Sequence, residues 1–145
     1  MTKSLPKNSK LFKNIQRDSD SRGSILSIVE HPIQNVSIIE TYPNSFRSNH
    51  YHHKDFHFMY VLEGEIDYFY KSIDKNDTKM LKIKTGETIL TPPNEIHSCY
   101  FPKFCKLVVS SGFPRDQKTY EKDTVRVKFI NDENIKMMIE KYGRK

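Results

Sequence analysis

The sequence predicts an all-β domain, and three observations carry that reading. Short runs of β-branched and aromatic residues recur through the middle of the chain. Closely spaced proline, asparagine and glycine turns interrupt them. Helical spacing of apolar residues emerges only at the carboxy terminus. Short strands at this density close into a sandwich or barrel.

In chain order, residues 25–29 read as a strand ending at His31-Pro32, and 36–39 as one ending at Pro43-Asn44. The His50-Tyr51-His52 stretch is extended, Lys54-Asp55 turns the chain, and 56–62 return antiparallel. Residues 66–70 run into the polar turn 74–77, and 82–84, 88–90 and 107–109 continue the series. Segment 125–129 alternates apolar and polar residues most cleanly and completes it. A helix closes the chain: Ile135, Met138, Ile139 and Tyr142 share one face after an Asn131-Asp132 start, and Gly143 ends it. This predicts an arm at 1–17, basic and flexible, a barrel at 18–130, and a helix with tail at 131–145.

At 145 residues the chain is long enough to bury one core without disulfides. With 36% hydrophobic and 29% charged residues, it has no apolar run that could span a membrane, and residues 1–14 lack the apolar stretch of a signal peptide. Two cysteines, Cys99 and Cys105, make no disulfide framework, so both are expected buried in strands and the compartment a reducing cytoplasm. The formal charge is +6, but Lys3, Lys7, Lys10, Lys13 and Arg17 carry five positive charges near one end, and 136–145 add three more net. The body between is slightly acidic, which argues against a nucleic-acid partner.

Chemistry concentrates at His50, His52, His53 and His57, with His97 following later. Imidazole is the commonest ligand for late first-row metals. On a strand, His50 and His52 project from one face, His57 can meet them from the returning strand, and His97 must arrive on another. These four are the expected ligands. His53 has the wrong parity and His31 is isolated, so both are expected outside the set. The ligand chemistry suits a divalent transition metal: zinc, iron, nickel or copper.

The spacing resembles the cupin family. Asn44, five residues, His50-Tyr51-His52, four residues, His57, six residues, Gly64 follows the first cupin motif. Gly86, five residues, Pro92-Pro93-Asn94, two residues, His97, three residues, Phe101 follows the second. Asn stands for Gly at 44 and 94, where it tolerates left-handed backbone. His57 stands where the family has a carboxylate, and Phe101 where it has Asn. The resemblance implies a cupin-type antiparallel β-barrel, or jelly roll. It also implies a homodimer, because a strand with His57, Met59 and Val61 inward leaves Phe56, Phe58, Tyr60 and Leu62 outside; burial by the chain's own tail is the alternative.

A second resemblance is to cupins that epimerise or isomerise dTDP-linked keto sugars, through Asp20-Ser21-Arg22-Gly23 and Arg47-Ser48-Asn49-His50, and through 114–117 and 120–123. It implies that Arg22 and Arg47 bind a substrate diphosphate. His50 would be a proton-abstracting base only if it is not a metal ligand, because one lone pair cannot serve both tasks. With His50 as ligand, Glu87 and the barrel tyrosines are the remaining candidates to move a proton. The leading expectation is a metal-binding cupin acting on a sugar or nucleotide sugar as an isomerase or epimerase of polysaccharide precursor metabolism. The alternatives are a non-haem metal-dependent dioxygenase and a non-catalytic small-ligand-binding cupin.

Overall fold

The computed structural model describes residues 4–12 and 14–143. Its strands in chain order are β1 (Lys10–Phe12), β2 (Ile15–Asp20), β3 (Gly23–Ser27), β4 (Asn35–Thr41), β5 (Ser45–His52), β6 (His57–Glu63), β7 (Glu65–Ser72), β8 (Lys79–Lys84), β9 (Thr88–Thr91), β10 (Glu95–Phe101), β11 (Cys105–Ser111) and β12 (Thr124–Arg126). Helix α1 (Gln117–Asp123) precedes β12, and α2 (Ile135–Tyr142) closes the chain. Two antiparallel sheets, ordered β1-β9-β6-β11-β4 and β12-β5-β10-β7-β8, face each other as a cupin jelly roll; β2 and β3 form a separate hairpin.

Alternation places one face of each strand in the core. Val61, Ile66, Tyr68, Ile83, Ile89, Phe101, Leu107 and Val109 fill the space between the sheets. A second cluster, Phe69, Ile96, Phe129, Ile130 and Met138, lies under α2, so the middle of β7 is buried on both faces. Both cysteines are buried and free, as expected. The turns also behave as their residues dictate: Asn44 and Asn94 adopt φ of 62° and 60°. Gly64, at φ 92°, passes so close to the next loop that an added Cβ would stand 2.3 Å from the Phe104 carbonyl oxygen.

Several elements differ from expectation. Only Thr124–Arg126 of the last strand pairs with β5. Beyond it the Asn49 side chain bonds both the N–H and the carbonyl of Ile130, drawing the backbone out of the ladder so that Phe129 and Ile130 cover the second sheet. Residues 25–27 pair with β2 rather than the barrel. Of the basic segment 1–17, Lys10–Phe12 pairs as β1 with β9; Lys3 and Lys13 lie outside the described residues. The outer face of β6 is covered in part by the chain itself. Phe58 is 7% exposed, its ring 5.8 Å from Phe12, 6.0 Å from Phe56 and 6.0 Å from His31. Among the described residues no helix is long and apolar enough to cross a membrane.

Candidate functional site

The site starts from an irregularity in β5. His97 pairs with His50, but Ser98 pairs with Ser48 and Cys99 with Arg47, so one extra residue is accommodated at Ser48-Asn49, whose φ angles are 75° and 54°. This bulge lets Arg47 and His50, three apart, line the same cavity where plain alternation would separate them. Beyond the bulge His50 and His52 share a face, as their spacing predicts, and β10 brings His97 opposite. Their ring centroids are 4.5 Å (His50 to His52) and 4.7 Å (His50 to His97) apart.

His50, His52 and His97 form a buried group whose ligand atoms all lie within 4.8 Å of one another. Hydrogen bonds fix two of the tautomers. Thr124 Oγ1 donates its proton to the Tyr120 carbonyl, so at 3.3 Å from His52 Nδ1 it must accept, which places the His52 proton on Nδ1. His97 Nδ1 lies 3.2 Å from the Glu95 carbonyl, which can only accept. Both rings therefore keep the Nε2 lone pair for another partner. Nε2 of His50 and of His52 is buried with no hydrogen-bond partner. Burial, with the neighbouring imidazoles adding to it, holds His50 down to about 3 and His52 to about 4, and His97 well below the histidine range. Three neutral imidazoles with free, convergent lone pairs suit a divalent transition metal.

His57 does not join this group. Its Nε2 lies 3.1 Å from Asp55 Oδ2, and both residues are buried. The four-imidazole set expected from the sequence becomes three imidazoles and a His57–Asp55 pair, because Asp55 turns back to face the ring two residues on. His53 is exposed and His31 packs against Phe56, both outside the site.

Behind His97 a buried polar network anchors the amino-terminal segment. Ser9 donates its N–H and Oγ–H to Glu95 Oε1, and the Tyr68 hydroxyl bridges Ser9 Oγ (2.6 Å) and Thr91 Oγ1 (2.9 Å). The Tyr68 ring stacks on His97 at 17°.

His50 and His57 line a cavity of about 270 Å³ together with residues that include Arg47, Arg115, Tyr120 and Arg126. Tyr120 sits on α1, its ring 6.3 Å from His50 and 5.5 Å from His52. Of the two arginines expected at the substrate, Arg47 is here, held by Thr41 Oγ1 and the Glu40 carbonyl. Arg22 is not: it stands on the β2–β3 hairpin, 84% exposed and paired with Asp20 at 2.7 Å. Glu87 accepts the Lys84 N–H in a turn and does not line the cavity. Arg115, Tyr120, Asp123 and Thr124 were not singled out as site residues, because α1 was not foreseen. The available signal was Asp116, whose carboxylate caps α1 by accepting the Thr119 N–H, two residues after Pro114.

Comparison with known proteins gives the same fold. The AraC-like ligand binding domain profile matches residues 35–104. Among curated proteins none matches the chain. Of solved structures, QdtA, a sugar 3,4-ketoisomerase from Thermoanaerobacterium thermosaccharolyticum in complex with TDP, is 19% identical, with a TM-score of 0.66 over 95% of this chain and 99% of that one. The WlaRB TDP-quinovose 3,4-ketoisomerase from Campylobacter jejuni is 21% identical, with a TM-score of 0.68 over 83% and 94%. The capsular polysaccharide assembling protein CapF from Staphylococcus aureus is 17% identical, with a TM-score of 0.61 over 81% of this chain and 33% of that one.

Proposed function

We propose that the chain is a metal-dependent isomerase or epimerase acting on a keto sugar carried by a nucleotide. The observation that carries this reading is the His50, His52 and His97 group, with His50 lining a cavity that also bears arginines. The fold likeness to sugar 3,4-ketoisomerases along nearly the whole chain supports it.

His50, His52 and His97 would hold a divalent metal, which would supply Lewis acidity toward a substrate carbonyl or hydroxyl. The chain's own residues supply the rest. Ligation takes the His50 lone pair, so proton abstraction falls to His57, whose ring is oriented by Asp55 and lines the cavity. Burial raises the Tyr120 hydroxyl above its usual range, so it is protonated at neutral pH and acts as a donor. His57 takes the proton from the carbon beside the carbonyl, and Tyr120 protonates the developing oxyanion. Isomerisation is completed when a proton returns to the former carbonyl carbon and the neighbouring enediol hydroxyl gives up its own to become the new carbonyl. Epimerisation is completed when a proton returns to the original carbon from the other face and the enol oxygen gives its proton back to Tyr120.

Incubating zinc-loaded protein with TDP-4-keto-6-deoxyglucose in D₂O tests this by proton NMR. The expected result is a new keto sugar with deuterium at carbon, lost in His57→Gln with metal content unchanged. No exchange at any metal loading would sink the reading.

A second reading, a ligand-binding cupin without catalysis, is favoured by the AraC-like match; sugar binding without exchange would establish it. Oxygen uptake by iron-loaded protein would move the assignment to a dioxygenase.

The molecule is further proposed to be a homodimer. β4 is an edge strand whose outer face leaves Val36 62% and Ile38 70% exposed, and the detached hairpin exposes Ile25 and Leu26. Light scattering is expected to give twice 17.2 kDa, and a monomer at micromolar concentration would refute it.

A further inference from the structure

The buried network behind His97 ties the site to a segment that takes no part in the proposed proton transfers. Glu95 is its pivot. The Glu95 backbone carbonyl takes the His97 Nδ1–H, while its side-chain Oε1 accepts from Ser9 N–H at 2.9 Å and from Ser9 Oγ–H at 2.5 Å. With that proton spent, Ser9 Oγ accepts from the Tyr68 hydroxyl, which in turn accepts from Thr91 Oγ1. The row therefore runs in one direction, from Thr91 through Tyr68 and Ser9 to a buried carboxylate, and each bond polarises the next. The ring it holds is the one stacked on His97, with 6.2 Å between centroids.

The same row touches the rest of the centre. Thr91 stands opposite His57 in the β9–β6 register, and the Asn94 N–H donates to the His52 carbonyl at 2.7 Å. Ser9 immediately precedes β1, which pairs with β9 in one sheet, whereas Glu95 opens β10 in the other. Ser9 thus clamps the two sheets together behind the histidines. β1 offers only three residues of ladder, so seating of the segment draws on these contacts. Glu95 is 4% exposed and has little water to turn to when the Ser9 donors leave, so the start of β10, which carries the partner of His97, shifts with it.

We propose that Ser9 and Tyr68 are positioning residues for the metal centre: docking of residues 9–12 fixes the His97 ring, and the segment is held more firmly when the centre is loaded. This rests on the reading of His50, His52 and His97 as metal ligands. Linkage makes the two effects equal, because a contact that raises metal affinity by some factor is itself strengthened by that factor once metal is bound.

The test compares wild type with Ser9→Ala and Tyr68→Phe, and with Met138→Ala, which opens a cavity in the separate cluster under α2. Zinc affinity is measured against a competing chelator. Docking is read as the rate at which trypsin cuts after Lys10, followed by mass spectrometry with and without zinc. Zinc affinity is expected to fall about tenfold in Ser9→Ala and in Tyr68→Phe, as for groups behind a metal ligand, and to stay unchanged in Met138→Ala. Zinc should slow the cut about tenfold in wild type and far less in Ser9→Ala. In cobalt-loaded protein the visible bands that report ligand geometry should shift in the first two variants and not in Met138→Ala. Thermal midpoints show that the variants fold, and the zinc effect on the wild-type cut needs no variant at all.

Zinc affinity within about twofold of wild type in both Ser9→Ala and Tyr68→Phe, an equal loss in Met138→Ala, or a cut that zinc does not slow would overturn the positioning role. Wild type that takes up no zinc would overturn it together with the metal site. Zinc binding weakened in the variants, in a protein that never converts a keto sugar, would keep the positioning role and refute the isomerase reading alone. Turnover with zinc affinity unaltered in the variants would do the reverse.

Discussion

Asp123 Oδ2 stands 3.6 Å from His52 Nδ1, and the same carboxylate accepts the backbone N–H groups of Lys54 and Asp55, each at 2.9 Å. The last residue of α1 therefore braces the turn that carries His52 on one side and Asp55 and His57 on the other. Carboxylates behind a ligating histidine fix its orientation and raise its basicity. Asp123→Ala is expected to weaken zinc binding about 10- to 100-fold, read by competition with a chromophoric chelator. An unchanged affinity would show that Thr124 alone sets the His52 ring.

Metal content itself separates the two roles open to His50. Protein purified without added metal or a charged resin is expected to carry near-stoichiometric metal by elemental analysis, lost in His52→Ala and in His97→Ala. A metal-free wild type that nonetheless isomerises a keto sugar would assign His50 to proton transfer instead.

Acid should unfold the metal-free protein early. His50 and His52 are held at about 3 and about 4 against an ordinary 6.5, so below 6.5 the unfolded chain binds protons that the folded site refuses. Stability is then complete above 6.5 and is lost as pH falls from there toward 3, by roughly 1.4 kcal/mol per pH unit for each histidine. Urea midpoints measured on chelator-treated protein at pH 7, 5.5 and 4.5 should fall steadily. The His50→Gln variant should show a shallower decline.

Gly64→Ala tests the turn between β6 and β7. Positive φ and a Cβ 2.3 Å from a backbone carbonyl leave no room for relaxation by side-chain motion alone. A loss of about 3 kcal/mol or more is expected from the combined strain and clash, measured by chemical denaturation. A loss below about 1 kcal/mol would mean that the Phe104 loop moves freely.

Much of the barrel was legible because its cues are local. Period-two alternation and turn chemistry located β4, β6, β7, β9 and β11, and the left-handed asparagines confirmed their turns. The carboxy-terminal helix was equally plain from its 3.6-residue stripe, although it starts at Ile135 rather than at 131. What escaped depends on partners distant in sequence. β1 is three residues long and defined by pairing with β9, and residues 127–130 leave their strand because Asn49 competes for their backbone. α1 buries none of its residues, so it has no apolar stripe to read. With α1 unseen, the site lost Tyr120, Asp123 and Arg115 together. Spacing likewise places the His57 side chain near the centre but does not reveal the Asp55 carboxylate two residues away that bonds its ring.

The bulge at Ser48-Asn49 makes the pairing of Arg47 with His50 a matter of frame rather than of chemistry. Drawing that step into regular pairing with every residue kept restores plain two-residue alternation. It rotates either the guanidinium or the imidazoles to the opposite side of the sheet, with neither side chain altered. Two chains of this fold could thus keep the same catalytic alphabet and differ in what they recognise by how one step of a strand is paired.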